Sequence, residues 1–146
     1  METRTLPVYE AGAIDVPFVI AGMDALVSRD TRFEPHSHPT HELLWNERGA
    51  SSVTVGARTW TVTPTIGLWI PAGLLHSGIT PAGTWYRTAH FGIGATPALS
   101  ERPVPVEMTP LLRLLLDRLT HESLEGESRA LTEKMVIDVL APSDQE

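Results

Sequence analysis

Short apolar runs punctuated by Pro and Gly fill the first two thirds of the chain, and a helical stripe replaces them after residue 108. Val16-Pro17-Phe18-Val19-Ile20 is apolar and β-branched, and Gly12 and Gly22 flank it. Residues 25–33 read as one strand, with Leu26 and Val27 on opposite faces. Leu43-Leu44-Trp45 reads as another, ended by a turn at Asn46-Glu47-Arg48-Gly49. Ser52-Val53-Thr54-Val55 and Arg58-Thr59-Trp60-Thr61-Val62 predict a hairpin through Gly56-Ala57. In its second arm Trp60 and Val62 share one face, and Thr59, Thr61 and Thr63 the other. Gly67-Leu68-Trp69-Ile70 is a further apolar strand, stopped by Pro71. Residues 84–91 form the last long one, in which His90 shares parity with Tyr86 and Thr88.

The period then changes. Thr109 followed by Pro110 is a helix start, with Thr as N-cap and Pro at the first helical position. Leu112, Leu115, Leu116 and Leu119 fall at i, i+3, i+4 and i+7, one helical stripe. Gly126 interrupts the pattern. Ser128 predicts the cap of a second helix, with Leu131, Met135 and Val139 along one side and Val136 and Leu140 beside them. The predicted organisation is therefore a β-barrel over residues 1–95, a connector over 96–108 rich in proline, and a helical hairpin over 109–141. Adjacent Leu111 and Leu114 widen the apolar face of the first helix, which suggests a dimer seam along Leu112, Leu115, Leu116 and Leu119.

Composition narrows the function classes. The chain has 146 residues, which suits one domain, and 12 Pro with 11 Gly favour many short strands over a bundle. Cysteine is absent, which excludes disulfides and thiolate metal sites. The net charge is −7 with a single lysine, Lys134, a poor balance for direct nucleic-acid binding. No apolar stretch reaches the roughly 18 residues of a membrane helix, and no leader is evident, so the expectation is a soluble cytoplasmic protein without a membrane partner.

The chemistry concentrates between residues 36 and 76. His36 and His38 lie two apart and Glu42 four further on, so on an extended strand all three face one interior. His76 follows a Pro-Gly turn, a route for a fourth ligand from another strand. Three imidazoles and a carboxylate suit a divalent ion, zinc or nickel first, then iron or manganese. His41 has the opposite parity and reads as a surface or supporting histidine.

These segments resemble a known family. His36-x-His38-x-x-x-Glu42 with Gly49 matches the first cupin motif, and Pro71-x-Gly73-x-x-His76 the heart of the second. The resemblance implies a double-stranded β-helix, the jelly-roll barrel, mainly β and followed here by the helical hairpin, with His36, His38, Glu42 and His76 around one metal. The chain departs from the cupin pattern at Asp30, where glycine is expected, at the position of Gly67, and at Thr80, where asparagine is common. Residues 25–92 are also similar to the N-terminal sensor domain of AraC-type transcription regulators, through His38-Pro39-Thr40-His41-Glu42-Leu43-Leu44-Trp45 and Leu68-Trp69-Ile70-Pro71-Ala72-Gly73-Leu74-Leu75-His76. That likeness implies a small-molecule effector in the barrel and a homodimer through the helices. It also implies a separate helix-turn-helix for DNA, for which residues 141–146 are too few. Trp45, Trp60, Tyr86 and His90 are the candidate pocket walls. Two other readings stay open: a metal-dependent cupin enzyme, dioxygenase or isomerase, for which no catalytic acid–base partner is evident, and a barrel without ligand.

Overall fold

The computed structural model describes residues 1–143. Ten strands and two helices follow one another as β1 (Glu2–Arg4), β2 (Ile20–Leu26), β3 (Thr31–His36), β4 (His41–Arg48), β5 (Ser51–Val55), β6 (Arg58–Val62), β7 (Ile66–Ile70), β8 (His76–Thr80), β9 (Trp85–Phe91), β10 (Val104–Glu107), α1 (Pro110–His121) and α2 (Gly126–Val139). They form two five-stranded sheets, β1-β3-β8-β5-β6 and β10-β7-β4-β9-β2. All pairings are antiparallel except β1 with β3. The expected mainly β jelly roll with a C-terminal helical pair is the observed architecture.

The second sheet has two different faces because side chains alternate along each strand. On β4, Glu42 and Leu44 point to a cavity between the sheets, while Leu43 and Trp45 point outward into the main core. On β9, Tyr86, Thr88 and His90 face the cavity, while Ala89 and Phe91 join that core. The helices cover this outer face through Leu112, Leu116 and Leu119 of α1 and Val136 of α2. Each buried leucine contributes about 1.5–3 kcal/mol by leaving water. Gly22 of β2 lets α1 come close, since a Cβ there would collide with the Thr120 hydroxyl.

Polar contacts fasten the same seam. Arg87, 2% exposed on β9, donates from Nη1 to Glu47 Oε1 of β4 and Asp117 Oδ1 of α1, each at 2.6 Å. Arg113 of α1 reaches the other oxygen of Glu47 at 3.4 Å. At the sheet's edge, Glu133 of α2 accepts the Ile20 N–H at 3.1 Å and Arg129 donates to the Ile20 carbonyl at 2.6 Å. At the other edge, Pro142 bridges Val106 of β10. The second helix and its tail thus lie across the sheet from one border to the other.

Several sequence expectations change here. Residues 25–33 are not one strand: the chain leaves the second sheet after Leu26 and enters the first at Thr31, because Val27 is drawn into backbone pairing with Gly83 and Thr84. Residues 46–48 continue β4 instead of turning, since Asn46 is buried and donates to Ser51 Oγ and the Val62 carbonyl. The proline-rich connector contains β10, which pairs with β7 and carries Val106 into the core. The Thr109–Pro110 start is as expected, with the Thr109 hydroxyl accepting the Leu112 N–H. Ser128 caps nothing, because α2 begins two residues earlier and the helix turn is already formed around it. On α2 the buried face is Thr132, Glu133 and Val136, with Leu140 buried just past its end, while Leu131 and Met135 are exposed. The seam leucines are corrected as well: Leu112, Leu116 and Leu119 are buried within the chain's own core and Leu115 packs on it. The apolar positions that α1 leaves outward are Leu111 and Leu114.

Among the described residues, no helix is long and apolar enough to cross a membrane.

Truncating the central arginine tests the seam. Arg87→Ala removes the buried cation shared by Glu47 and Asp117, leaving Glu47 only its longer contact to Arg113, and is expected to cost about 3 kcal/mol in urea denaturation. Asp117→Ala, at a more exposed carboxylate, is expected to cost under about 1 kcal/mol. Equal losses for the two would show that the buried guanidinium does not hold the helix.

Candidate metal and effector site

The histidine segment bends where a straight strand was expected. β3 ends at His36, residues 37–40 cross from one sheet to the other, and β4 begins at His41. Glu42 therefore reaches the site from the wall opposite His36, and not as the next same-parity residue of one strand. His36 and His76 are direct partners across β3 and β8. Glu42 and His90 are direct partners across β4 and β9. His38 comes from the crossing itself. Two walls and the link between them converge at one end of the barrel.

The turn before His76 is stapled to that crossing. Gly73, at φ 77°, donates to the His38 carbonyl at 2.8 Å. A side chain at Gly73 would meet the backbone of Ala11. His41, expected at the surface or in support, is buried; its Nδ1 accepts the Ala72 N–H at 2.9 Å. Burial lowers its pKa, in keeping with a neutral ring that accepts. Asp30, where the cupin pattern has glycine, accepts the Ala82 N–H at 2.8 Å and so takes over a loop contact.

The ligand atoms of His36, His38 and His76 all lie within 4.8 Å of one another, and this trio can hold a metal ion. Glu42 Oε1 is 3.4 Å from His76 Nε2 and 3.7 Å from His38 Nε2. His36 Nδ1 meets the Glu34 carbonyl at 2.7 Å and His76 Nδ1 the Leu74 carbonyl at 2.9 Å. Those bonds place a proton on Nδ1, so that in the neutral ring the Nε2 lone pair is the one left to bind a metal, the arrangement that metal-binding histidines use. The donor set therefore fits a borderline divalent ion.

Electrostatics agree with that fit. Burial holds the His38 pKa down at about 4, against a smaller pull upward from Glu42. Burial likewise lowers His36. Burial alone would raise Glu42, but the His76 hydrogen bond and the charges of His90, His38 and His76 outweigh it and hold it at about 2. His76 differs: burial pulls it down, yet its bond to Glu42 wins and raises it.

The cluster lines a cavity of about 470 Å³, within the range of small-molecule pockets. Of the four expected walls, Tyr86 and His90 line it. His90 Nε2 is 3.7 Å from Glu42 Oε2, and its Nδ1 is 3.0 Å from the Thr40 hydroxyl. Trp45 and Trp60 do not line it. Trp45 has the outward parity of β4 and lies under the Arg87 guanidinium, 5.2 Å from its ring centre. Trp60 packs on the small cluster of Val53, Val62, Leu68 and Ile70, and its ladder partner Val53 takes the cavity position. Sequence reading did not single out Leu44, Phe33 and Met23 as walls; for Leu44 the parity with Glu42 carried the signal.

Acid should weaken the metal-free protein. His38 and Glu42 both titrate lower when folded, so their contributions are complete above about pH 6.5 and 4.5 and fade as pH falls toward about 4 and 2. His76, raised when folded, acts oppositely and contributes below its unfolded pKa of 6.5. In chelator, the melting temperature is expected to fall from pH 7 to 4, and His38→Gln to flatten that slope. An unchanged slope in the variant would remove His38 as its source.

Comparison with known proteins follows the same lines. The sequence model of the AraC-like ligand binding domain matches residues 24–134. No curated protein matches the chain. Among solved structures, the chain resembles ToxT from Vibrio cholerae at 6% identity, over 87% of this chain and 60% of that one, with a TM-score of 0.52. It is also similar to oxalate decarboxylase from Bacillus subtilis, at 17% identity over 77% and 34% of the two chains with a TM-score of 0.45. A cupin domain from Bordetella pertussis matches at 14% identity over 49% and 77%, with a TM-score of 0.37. The likeness to ToxT is one of fold, and the chain spans under two thirds of its length. With the family match running from β2 into α2, this chain belongs to the AraC-like ligand-binding domains.

Proposed function

We propose that the chain is the effector-sensing domain of an AraC-type transcription regulator, that it binds zinc or nickel through His36, His38, Glu42 and His76, and that it works as a homodimer. One observation carries the reading. β4 and β9 each present the cavity on one face and the seat of α1 on the other. A ligand that fills the cavity touches strands whose reverse side holds the helix. Arg87 and Glu47 sit on those strands, and Asp117 and Arg113 on α1. An effector changes the helix only by preferring one arrangement of this seam over another.

The metal, when bound, would supply an electrophilic position that recognises an oxygen donor. The chain's own residues orient the rest. His41 and the His38 carbonyl hold the turn that delivers His76. DNA is contacted by another domain in this reading, in keeping with a net charge of −7. Two copies pair through what the subunit core leaves outward, Leu111 and Leu114 of α1 with Leu131 and Met135 of α2.

Metal titration by calorimetry is expected to give one zinc or nickel per chain, and His36→Ala to lose it. Metal at 100 times its dissociation constant should add about 2.7 kcal/mol of stability. Absence of metal binding by the unmodified chain would remove the metal from the reading. Oxygen uptake by iron-loaded protein would favour the enzyme instead.

For the pairing, Leu111→Glu combined with Leu114→Glu should convert dimers to monomers in light scattering. A dimer that survives both charges rules this surface out.

A further inference from the structure

His90, Thr88 and Tyr86 form a stripe along β9 that faces the cavity. His90 is engaged with Thr40 and Glu42. Tyr86 meets Phe33 edge-on at 6.2 Å. Thr88 is 6% exposed, and its hydroxyl has no hydrogen-bond partner. Buried hydroxyls are hydrogen-bonded as a rule, because one left unpaired forfeits its interaction with water, so a partner is expected. Of the unpartnered buried side-chain atoms among the described residues, only this one belongs to a residue lining the cavity. Across the ladder Thr88 faces Leu44, and Met23, Phe33 and Val53 supply further apolar wall. Thr88 stands one strand repeat from His90, about 7 Å along the chain.

Charge adds a second constraint. Three neutral imidazoles, one carboxylate and one divalent ion sum to a single positive charge at the histidine cluster. A monoanion neutralises it, and a neutral sugar does not.

We propose that Thr88 is a ligand-recognition residue. It hydrogen-bonds a second polar group on a monoanionic organic acid whose carboxylate sits at the histidine cluster and whose apolar body lies against Leu44, Phe33 and Val53. The proposal rests on the effector-sensing reading and names the class of effector.

Calorimetry on the zinc-loaded chain with benzoate, 4-hydroxybenzoate, benzyl alcohol and glucose tests it. The para-hydroxyl lies about one strand repeat from the carboxylate. 4-Hydroxybenzoate is expected to bind up to about tenfold more tightly than benzoate, and benzyl alcohol far more weakly than either. Thr88→Val should erase the difference between the two acids, and Thr88→Ser should restore it. A preference that survives Thr88→Val, or equal binding of both acids by the unmodified chain, overturns the role of Thr88. Glucose binding in place of the acids overturns the ligand class but leaves the sensor reading standing. If zinc itself does not bind, the charge argument falls with the metal site.

Discussion

The buried carboxylate of Glu42 is the constraint around which the barrel closes. A charge taken out of water is tolerated only where opposite charge or donors surround it. Glu42 is 6% exposed, and His38, His76 and His90 ring its two oxygens. Those histidines come from the crossing at 37–40, from β8 and from β9. Holding them together requires both sheets, the bend between them and the turn before His76. Conversely, any relaxation that opened the two sheets would leave the carboxylate without partners. The same arrangement that makes the group tolerable in the interior makes it a donor set for a cation.

The sheet that carries Glu42 joins two environments. Its inner face is a pocket with one polar end, and its outer face is the apolar seat of two helices. Strand alternation is what permits adjacent residues to serve different partners: Thr88 looks into the cavity while Arg87 reaches Asp117 on α1. Along β9 the residues that line the pocket and those that meet the helix are next to one another in sequence, although Asp117 of α1 is 30 residues beyond Arg87.

Much of this was legible from the order of residues. The four candidate residues stood out because two short motifs carried the right donors at the right spacing; the structure groups the ligand atoms of His36, His38 and His76 within 4.8 Å of one another and sets Glu42 beside His38 and His76. The Thr109–Pro110 helix start was legible because a cap is a local device, complete within four residues. The parity that His90 shares with Tyr86 and Thr88 is the one by which all three line the cavity, although sequence reading singles out only Tyr86 and His90 as walls. What misled was of one kind. The parity argument for Glu42 reached the right residue by the wrong path, since the chain bends between His38 and Glu42. Trp45 and Trp60 were placed in the pocket for being large and apolar; Trp45 lies on the outer face of its sheet, and Trp60 shares the face of its partner Val53 but stands on the edge strand β6, outside the cavity.

The leucine stripe shows where local information stops. Periodicity established that Leu112, Leu115, Leu116 and Leu119 must be covered, and it could not say by what. The tertiary structure covers them with the chain's own sheet, because Gly22 admits α1 closely and Arg87 anchors it. The sequence by itself determined the donor types, the strand-rich architecture and the start of α1, all of which depend on neighbours a few residues away. Only the fold decided which side of each strand met the cavity and which met the helices, because that choice depends on contacts between segments far apart in the chain.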